Sequence, residues 1–356
     1  MTAMTISPTA AASQQRSAEL ERAIAGDPAA FRILTGDRPT GSLHVGHYFG
    51  TLANRVRLQD AGVELLVLIA DYQALTDRTA SAQLPDVVLG LVADYLAVGV
   101  DPERATIFAH SQVAALNQLL LPFLSLVSVA EISRNPTVKE EMAAAGSDAM
   151  NGLMFAYPVH QAADILACRA NLVPVGKDQL PHLELSRVIA RRFNERYTPD
   201  EPFFAEPEAL LSAAPMLLGL DGRKMGKSLR NSVPLRATAD ETTQLVARAT
   251  TDSQRRISFD PAGRPEVSSL VLMAALCRDE TPEAIADAVG DGGAAALKAL
   301  LTTALNDRFA AIRARRAELA ADPGYLREVL ATGNERARVL ADATLHAVRK
   351  LMHTSY

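Results

Sequence analysis

Short apolar runs alternate with longer segments of helical periodicity over the first part of the chain. Phe31-Arg32-Ile33-Leu34-Thr35 reads as a strand, followed by a Gly/Pro turn and a helix expected from about His44. Leu65-Leu66-Val67-Leu68-Ile69 is an unbroken apolar run, the pattern of a parallel strand buried on both faces. From Ser81 to Val98, apolar residues at Leu84, Val87, Val88, Leu91, Val92, Tyr95 and Leu96 recur at the spacing of one helix face. Residues 106–109 and 172–175 read as a third and a fourth strand. Pro174 has no N–H for a ladder, so the fourth is expected to be short or only partly paired. Strands alternating with long helices predict an α/β fold, a sheet with helices on both faces.

Beyond about residue 232 the texture changes. Residues 241–249, 267–276, 282–289, 294–319 and 325–351 all have helical patterning, and no strong strand candidate interrupts them. The expected organisation is a loose N-terminal tail over 1–28, a sheet domain over 29–231 and a mostly helical C-terminal domain over 232–356. Segment 113–168 is mostly helical without a clean strand, and is expected to be an insertion in the sheet domain; 119–141 is the candidate for a dimer-forming element.

Composition narrows the class. With 356 residues, 48% apolar and 22% charged, the chain can bury a self-sufficient core, and neither disorder nor a fibre describes it. A net charge of −5 argues against a generic basic nucleic-acid binder but leaves room for local basic surfaces. Cys168 and Cys277, the only two cysteines, cannot by themselves make a zinc or iron–sulfur site or a secreted disulfide framework. The start of the chain lacks a signal-peptide core. The longest greasy run, 119–130, is shorter than a bilayer span, so a cytoplasmic protein that does not enter membranes is expected.

Two segments carry chemistry. In Gly36-Asp37-Arg38-Pro39-Thr40-Gly41-Ser42-Leu43-His44-Val45-Gly46-His47, a strand, a tight turn and a helix start follow one another. His44 and His47 share one face of the first helical turn, and Gly46 removes a side chain that would obstruct a ligand. Backbone N–H groups and two imidazoles at a helix start suit a polyphosphate. The segment is neither a Walker loop nor a Gly-x-Gly-x-x-Gly fingerprint. Taken alone, a His-x-x-His is more often an ordinary pair of core and surface histidines. The second segment is Leu220-Asp221-Gly222-Arg223-Lys224-Met225-Gly226-Lys227-Ser228. Here two ammonium groups flank a glycine in a loop, over 222–230, that can move with charge migrating along a triphosphate. A solvated basic turn is the bland alternative.

Together these segments resemble the two signatures of the class I aminoacyl-tRNA synthetases, and most closely the bacterial tryptophanyl branch. His44-Val45-Gly46-His47 corresponds to His-Ile-Gly-His, and Lys224-Met225-Gly226-Lys227-Ser228 to Lys-Met-Ser-Lys-Ser. The resemblance runs from about Ile33 to beyond Tyr325. It implies a Rossmann-like catalytic domain, a helical domain that recognises the anticodon, and a homodimer. It also implies ATP-dependent activation of L-tryptophan and transfer to tRNA(Trp), with Mg²⁺ held mainly by the phosphates and no zinc or iron–sulfur cluster. On this reading His44, His47, Lys224 and Lys227 are catalytic. Arg38, Thr40, Gly46, His47, Gly176, Asp178, Lys224, Met225, Gly226, Lys227 and Ser228 bind ATP.

The tryptophanyl branch carries Gly-x-Gln/Arg-Pro-Ser/Thr-Gly before the histidines, matched by residues 36–41, and Gly-x-Asp-Gln, matched by Gly176-Lys177-Asp178-Gln179. Its amino-acid pocket is matched by Tyr157-Pro158 and by Gln161-Ala162-Ala163-Asp164-Ile165-Leu166. The resemblance gives Asp164 the indole N–H, Tyr157 and Gln179 the amino end, and Asp71, Gln73 and Gln161 the pocket wall. Indole offers one donor and no acceptor, so a buried carboxylate suits it. The tyrosyl branch shares Tyr-x3-Gln-x2-Asp, so tyrosine is the alternative substrate. A small-molecule nucleotidyltransferase and a non-catalytic relative are the alternatives from other classes. Gly226 stands where the usual motif has serine, so one hydroxyl contact to phosphate is expected to be missing. Arg187, Arg191, Arg192 and Arg196, and Arg308, Arg313, Arg315 and Arg316, are candidate tRNA-contacting patches or else solvated helix faces.

Overall fold

The computed structural model describes residues 8–75, 83–136, 138–139, 151–176, 180–211, 217–226, 229 and 231–356. Five strands form one parallel sheet in the order β3-β2-β1-β4-β5: β1 Arg32–Asp37, β2 Glu64–Ile69, β3 Ala105–Ala109, β4 Leu172–Val175 and β5 Glu208–Leu211. The expected α/β sheet is therefore present, with β1 and β2 paired from Arg32↔Glu64 to Asp37↔Ile69. β4 joins β1 at the single register pair Ile33↔Leu172, as expected for a strand carrying Pro174, but pairs with β5 along its whole length.

Successive strand residues point to opposite faces and so feed two separate cores. Ile33, Leu65, Val67, Ile69 and Ile107 lie in one. Leu34, Leu66, Leu68, Phe108 and Val173 lie in the other, where the helices Ala114–Leu124 and Gly152–Ala167 of the long crossover from β3 to β4 cover them. The first core continues without a break into Leu270, Leu301 and Phe309 of the C-terminal helices.

Those helices are Ala239–Ala247, Pro265–Arg278, Pro282–Val289, Gly293–Ala320 and Pro323–Leu351. Their starts are written locally. Thr238 and Glu241 form a capping box, Thr281 caps ahead of Pro282, and Asp322 caps ahead of Pro323. The last helix also covers the edge strand β3. A Cβ on Gly333 would lie 1.8 Å from the carbonyl oxygen of Ile107, and Asn334 Oδ1 accepts the N–H of Ala109 at 3.0 Å. An exposed edge is thereby satisfied by a side chain.

One expectation needs revision, and one strand was not foreseen. Residues 8–26 are not a loose tail but a helix, Pro8–Gly26, whose Leu20 and Ile24 are buried. It covers β5, where Ser17 Oγ accepts the Leu211 N–H at 3.0 Å and Arg16 pairs with Glu208. β5 itself has no strand signature, because Glu208-Ala209-Leu210-Leu211 lacks β-branched and aromatic residues. No helix among the described residues is long and apolar enough to cross a membrane.

Candidate active site

A cavity of about 550 Å³ opens at the carboxyl ends of β1, β2 and β4, where the strand order reverses between β1 and β4. In open parallel sheets this crevice is where ligands bind. Its wall includes Gly36, Asp37 and Arg38 at the end of β1, Ala70 and Gln73 after β2, and Val175 and Gly176 at the end of β4. His47, Arg55, Tyr157, Gln161 and Asp164 project into it from three helices.

The histidine pair sits at a helix start, as the sequence requires. His44 has extended backbone (φ −133°, ψ 171°) ahead of the helix Val45–His47 and is buried. The two rings lie 3.7 Å apart between centroids. His47 Nδ1 accepts the backbone N–H of His44 at 3.2 Å. A nitrogen that accepts cannot carry the proton, so neutral His47 has its hydrogen on Nε2, the donor it can offer to the cavity.

Tertiary folding brings the second motif onto the first. Residues 233–235 run beside 43–45, with Val45 N donating to Val233 O at 3.0 Å and Leu235 N to Leu43 O at 2.9 Å. A Cβ on Gly46 would lie 2.7 Å from Met225 Sδ. Gly46 thus makes room for the neighbouring loop. Asn231, 5% exposed, holds that loop: it accepts from Gly226 N at 3.0 Å and donates to Asp221 at 2.7 Å and to Lys224 O at 3.1 Å.

Beside His47 lies a charged pair that the sequence did not announce. Arg55 donates to Asp37 at 2.7 Å and to Thr35 at 3.1 Å, and Tyr95 donates to Asp37 at 2.8 Å. Burial pushes the Asp37 carboxyl up, but the Arg55 guanidinium outweighs it and holds it down to about 2. Asp37 therefore stays ionised and compensated.

The pocket's deepest acid is Asp164, 1% exposed, on the helix Gly152–Ala167. Its Oδ2 accepts from His110 Nε2 at 2.7 Å, and its Oδ1 has no hydrogen-bond partner among the described residues. His160 stacks on His110 with centroids 4.6 Å apart. Burial opposes a charge on His110 but the Asp164 carboxylate overcomes it and raises the pKa; burial lowers that of His160. Donor atoms of His110, His160 and Asp164 come within 4.8 Å of one another, so this cluster has metal-ligand chemistry in principle.

Of the expected site residues, Arg38, His47, Gln73, Tyr157, Gln161, Asp164 and Gly176 meet in the cavity wall. Asp71 does not: its oxygens accept Tyr72 N and Ser111 N, both at 3.0 Å, and Ser111 Oγ at 2.5 Å, so it fastens the turn that carries His110. Thr40 and Lys224 are exposed and outside that wall, as are the packed His44, Gly46, Met225 and Gly226. Asp178, Gln179, Lys227 and Ser228 lie outside the described residues. Asp37, Arg55, His110 and His182 were missed. A buried arginine or histidine has no local signature when its burial depends on distant strands.

The two arginine clusters are largely compensated. Arg187 pairs with Glu184, Arg191 with Glu206 and Arg192 with Glu131. Arg308 pairs with Asp279, Arg315 with Glu318 and Arg316 with Asp94, while Arg313 donates to Asn306 and Thr242.

A parallel sheet with a switch-point cavity, a His-x-Gly-His helix start and a loop that carries Lys224 and sets Met225 against it define a class of enzyme. The family model for class I tRNA synthetases (W and Y) matches residues 27–310. The tryptophan–tRNA ligase of Streptococcus pyogenes serotype M1 is 41% identical over 337 residues, covering 91% of this chain and 98% of the relative. That of Treponema pallidum (strain Nichols) is 42% identical over 335 residues, covering 91% and 97%. Among solved structures, the tryptophanyl-tRNA synthetase of Campylobacter jejuni in complex with ADP and tryptophan superposes with a TM-score of 0.78. It is 27% identical and covers 90% of this chain and 99% of its own. The chain belongs to the tryptophan–tRNA ligase family of class I tRNA synthetases.

Proposed function

We propose that this chain activates L-tryptophan with Mg-ATP and transfers it to tRNA(Trp). The observation that carries the amino-acid assignment is Asp164: a buried carboxylate in the cavity wall, with one oxygen engaged by His110 and the other without a partner among the described residues. A ring N–H supplies the donor that oxygen needs. Tyr157 in the same wall, with Gln179, would take the amino end, and Gln161 and Gln73 would complete the pocket.

The substrate's own carboxylate attacks the α-phosphorus, giving tryptophanyl-adenylate and pyrophosphate. A ribose hydroxyl of the tRNA then attacks the activated carbonyl. The chain supplies orientation and charge, not a nucleophile. His47, through Nε2–H, with His44, Lys224 and Lys227, would stabilise the triphosphate, and Arg38, Thr40, Gly176, Asp178 and Ser228 would position the nucleotide. Asp37 and Asp164 are already committed to Arg55 and His110, which suits a magnesium ion held by phosphate oxygens and water.

Residues 232–356 are read as the anticodon-recognising region. Leu121 and Val129, 74% and 69% exposed, support a homodimer contact along 119–141. The test is amino-acid-dependent exchange of pyrophosphate into ATP across the proteinogenic amino acids. Exchange with tryptophan and not tyrosine is expected. Preference for tyrosine would move the chain to the other branch, and no exchange with any amino acid would leave a nucleotidyltransferase or a non-catalytic relative.

A further inference from the structure

Two buried imidazoles lie directly behind the pocket carboxylate, and the activation chemistry uses neither. His110 and His160 are 0% and 2% exposed, and neither lines the cavity, whereas Asp164 does. The oxygens of Asp164 are inequivalent. His110 Nε2 lies 2.7 Å from Oδ2, while His160 Nε2 lies 3.9 Å from Oδ1, beyond hydrogen-bond reach.

We infer that His110 is a positioning residue for amino-acid recognition: by holding Oδ2 from behind the wall it turns the other oxygen of Asp164 toward the ring N–H of the substrate. The inference rests on tryptophan being that substrate. Rotation of a carboxylate about its last bond is soft, so its direction must be fixed by what it bonds. A buried anion without a compensating donor also tends to protonate, and a carboxylic acid would offer the indole a hydroxyl where it needs an acceptor.

His110 is itself held in place. It opens the turn His110–Gln112, which Asp71 fastens through the N–H and hydroxyl of Ser111, and it stacks on His160 and, at 6.5 Å, on Tyr72. Its Nε2 carries hydrogen whether the ring is neutral or charged, because a carboxylate oxygen can only accept. His160 contributes a flat neutral surface. A metal between His110 and Asp164 is disfavoured by their direct contact at 2.7 Å. Two ligand atoms about 2 Å from one tetrahedral ion would sit about 3.3 Å apart.

The test uses the full-length protein and a tryptophan analogue, β-(3-benzothienyl)alanine, in which sulfur replaces the ring N–H. The ratio of kcat/KM for tryptophan over the analogue, in ATP–pyrophosphate exchange, reads the hydrogen bond alone. It is taken within one preparation, so a lower folded fraction cancels. His110→Phe keeps the ring stack and removes the donor, and should lower the ratio about tenfold through the KM for tryptophan, with the analogue little changed. His110→Gln supplies an N–H without the ring and should restore most of the ratio. An unchanged ratio in His110→Phe, or equal losses for both substrates, would overturn the inference. So would a stoichiometric transition metal in the purified wild type that both variants lose. Failure of the underlying reading shows separately, as wild-type activation of tyrosine in place of tryptophan.

Discussion

Replacing Asp164 by asparagine keeps the side chain's size and changes only what its two tips can do. His110 Nε2, 2.7 Å from the present Oδ2, needs an acceptor, so the amide oxygen must take that position. The amide NH₂ is then left at the position of Oδ1, where it meets the substrate's ring N–H donor to donor. The charge-assisted bond to the substrate is lost, and a buried donor faces another with no acceptor between them. The first effect costs about 1.5–3 kcal/mol and the second about 1–3 kcal/mol, and they share one contact, so their sum is not fully additive. A penalty of about 2–4 kcal/mol in kcat/KM for tryptophan is expected, or roughly 30- to 1,000-fold. Phenylalanine has no ring donor, so its low activity should change much less and discrimination should narrow. The assay is pyrophosphate exchange at varied tryptophan and phenylalanine. Wild-type kcat and KM for tryptophan in Asp164→Asn would refute the pocket assignment.

The other expectations concern the phosphate site and the fold. His47→Ala should lower kcat for adenylate formation by about 100-fold with little change in tryptophan KM, measured by single-turnover kinetics; a large rise in KM with kcat intact would put the ring in the amino-acid pocket. Gly226 is not left-handed, and an added Cβ would come no nearer than 3.8 Å to Leu229, so Gly226→Ser should keep the wild-type Tm and modestly raise the activation rate. Gly333→Ala should cost about 2–3 kcal/mol, because its methyl would be driven into the Ile107 carbonyl; an unchanged thermal transition would show that the last helix does not pack against β3 in solution. Asp37 is depressed from 3.8 to about 2, so its stabilisation is complete above 3.8 and is lost as pH falls through 2. That is roughly 2 kcal/mol of acid-dependent stability, which Asp37→Asn should lack in urea titrations at low pH.

Four of the five strands and the five C-terminal helices could be read along the chain, because each is specified by neighbours in sequence. An apolar run such as 65–69 has one buried solution, and a Thr238/Glu241 box starts a helix wherever it lies. The two phosphate motifs were legible for the same reason, since their residues sit within one turn or one loop. β5 was not, because Glu208-Ala209-Leu210-Leu211 favours no strand by itself and becomes one through pairing with β4 under the helix Pro8–Gly26. Nor was the pairing of the motifs, in which Met225 fills the space that Gly46 leaves. The role of Asp71 depended on Ser111, 40 residues further along the chain and brought beside it only by the pairing of β2 with β3. Arg55 and His110 show the limit most clearly. A charged or polar side chain is tolerated in the interior only when a partner meets it there, and Asp37 and Asp164 reach them only once β1, β3 and the helix Gly152–Ala167 have packed.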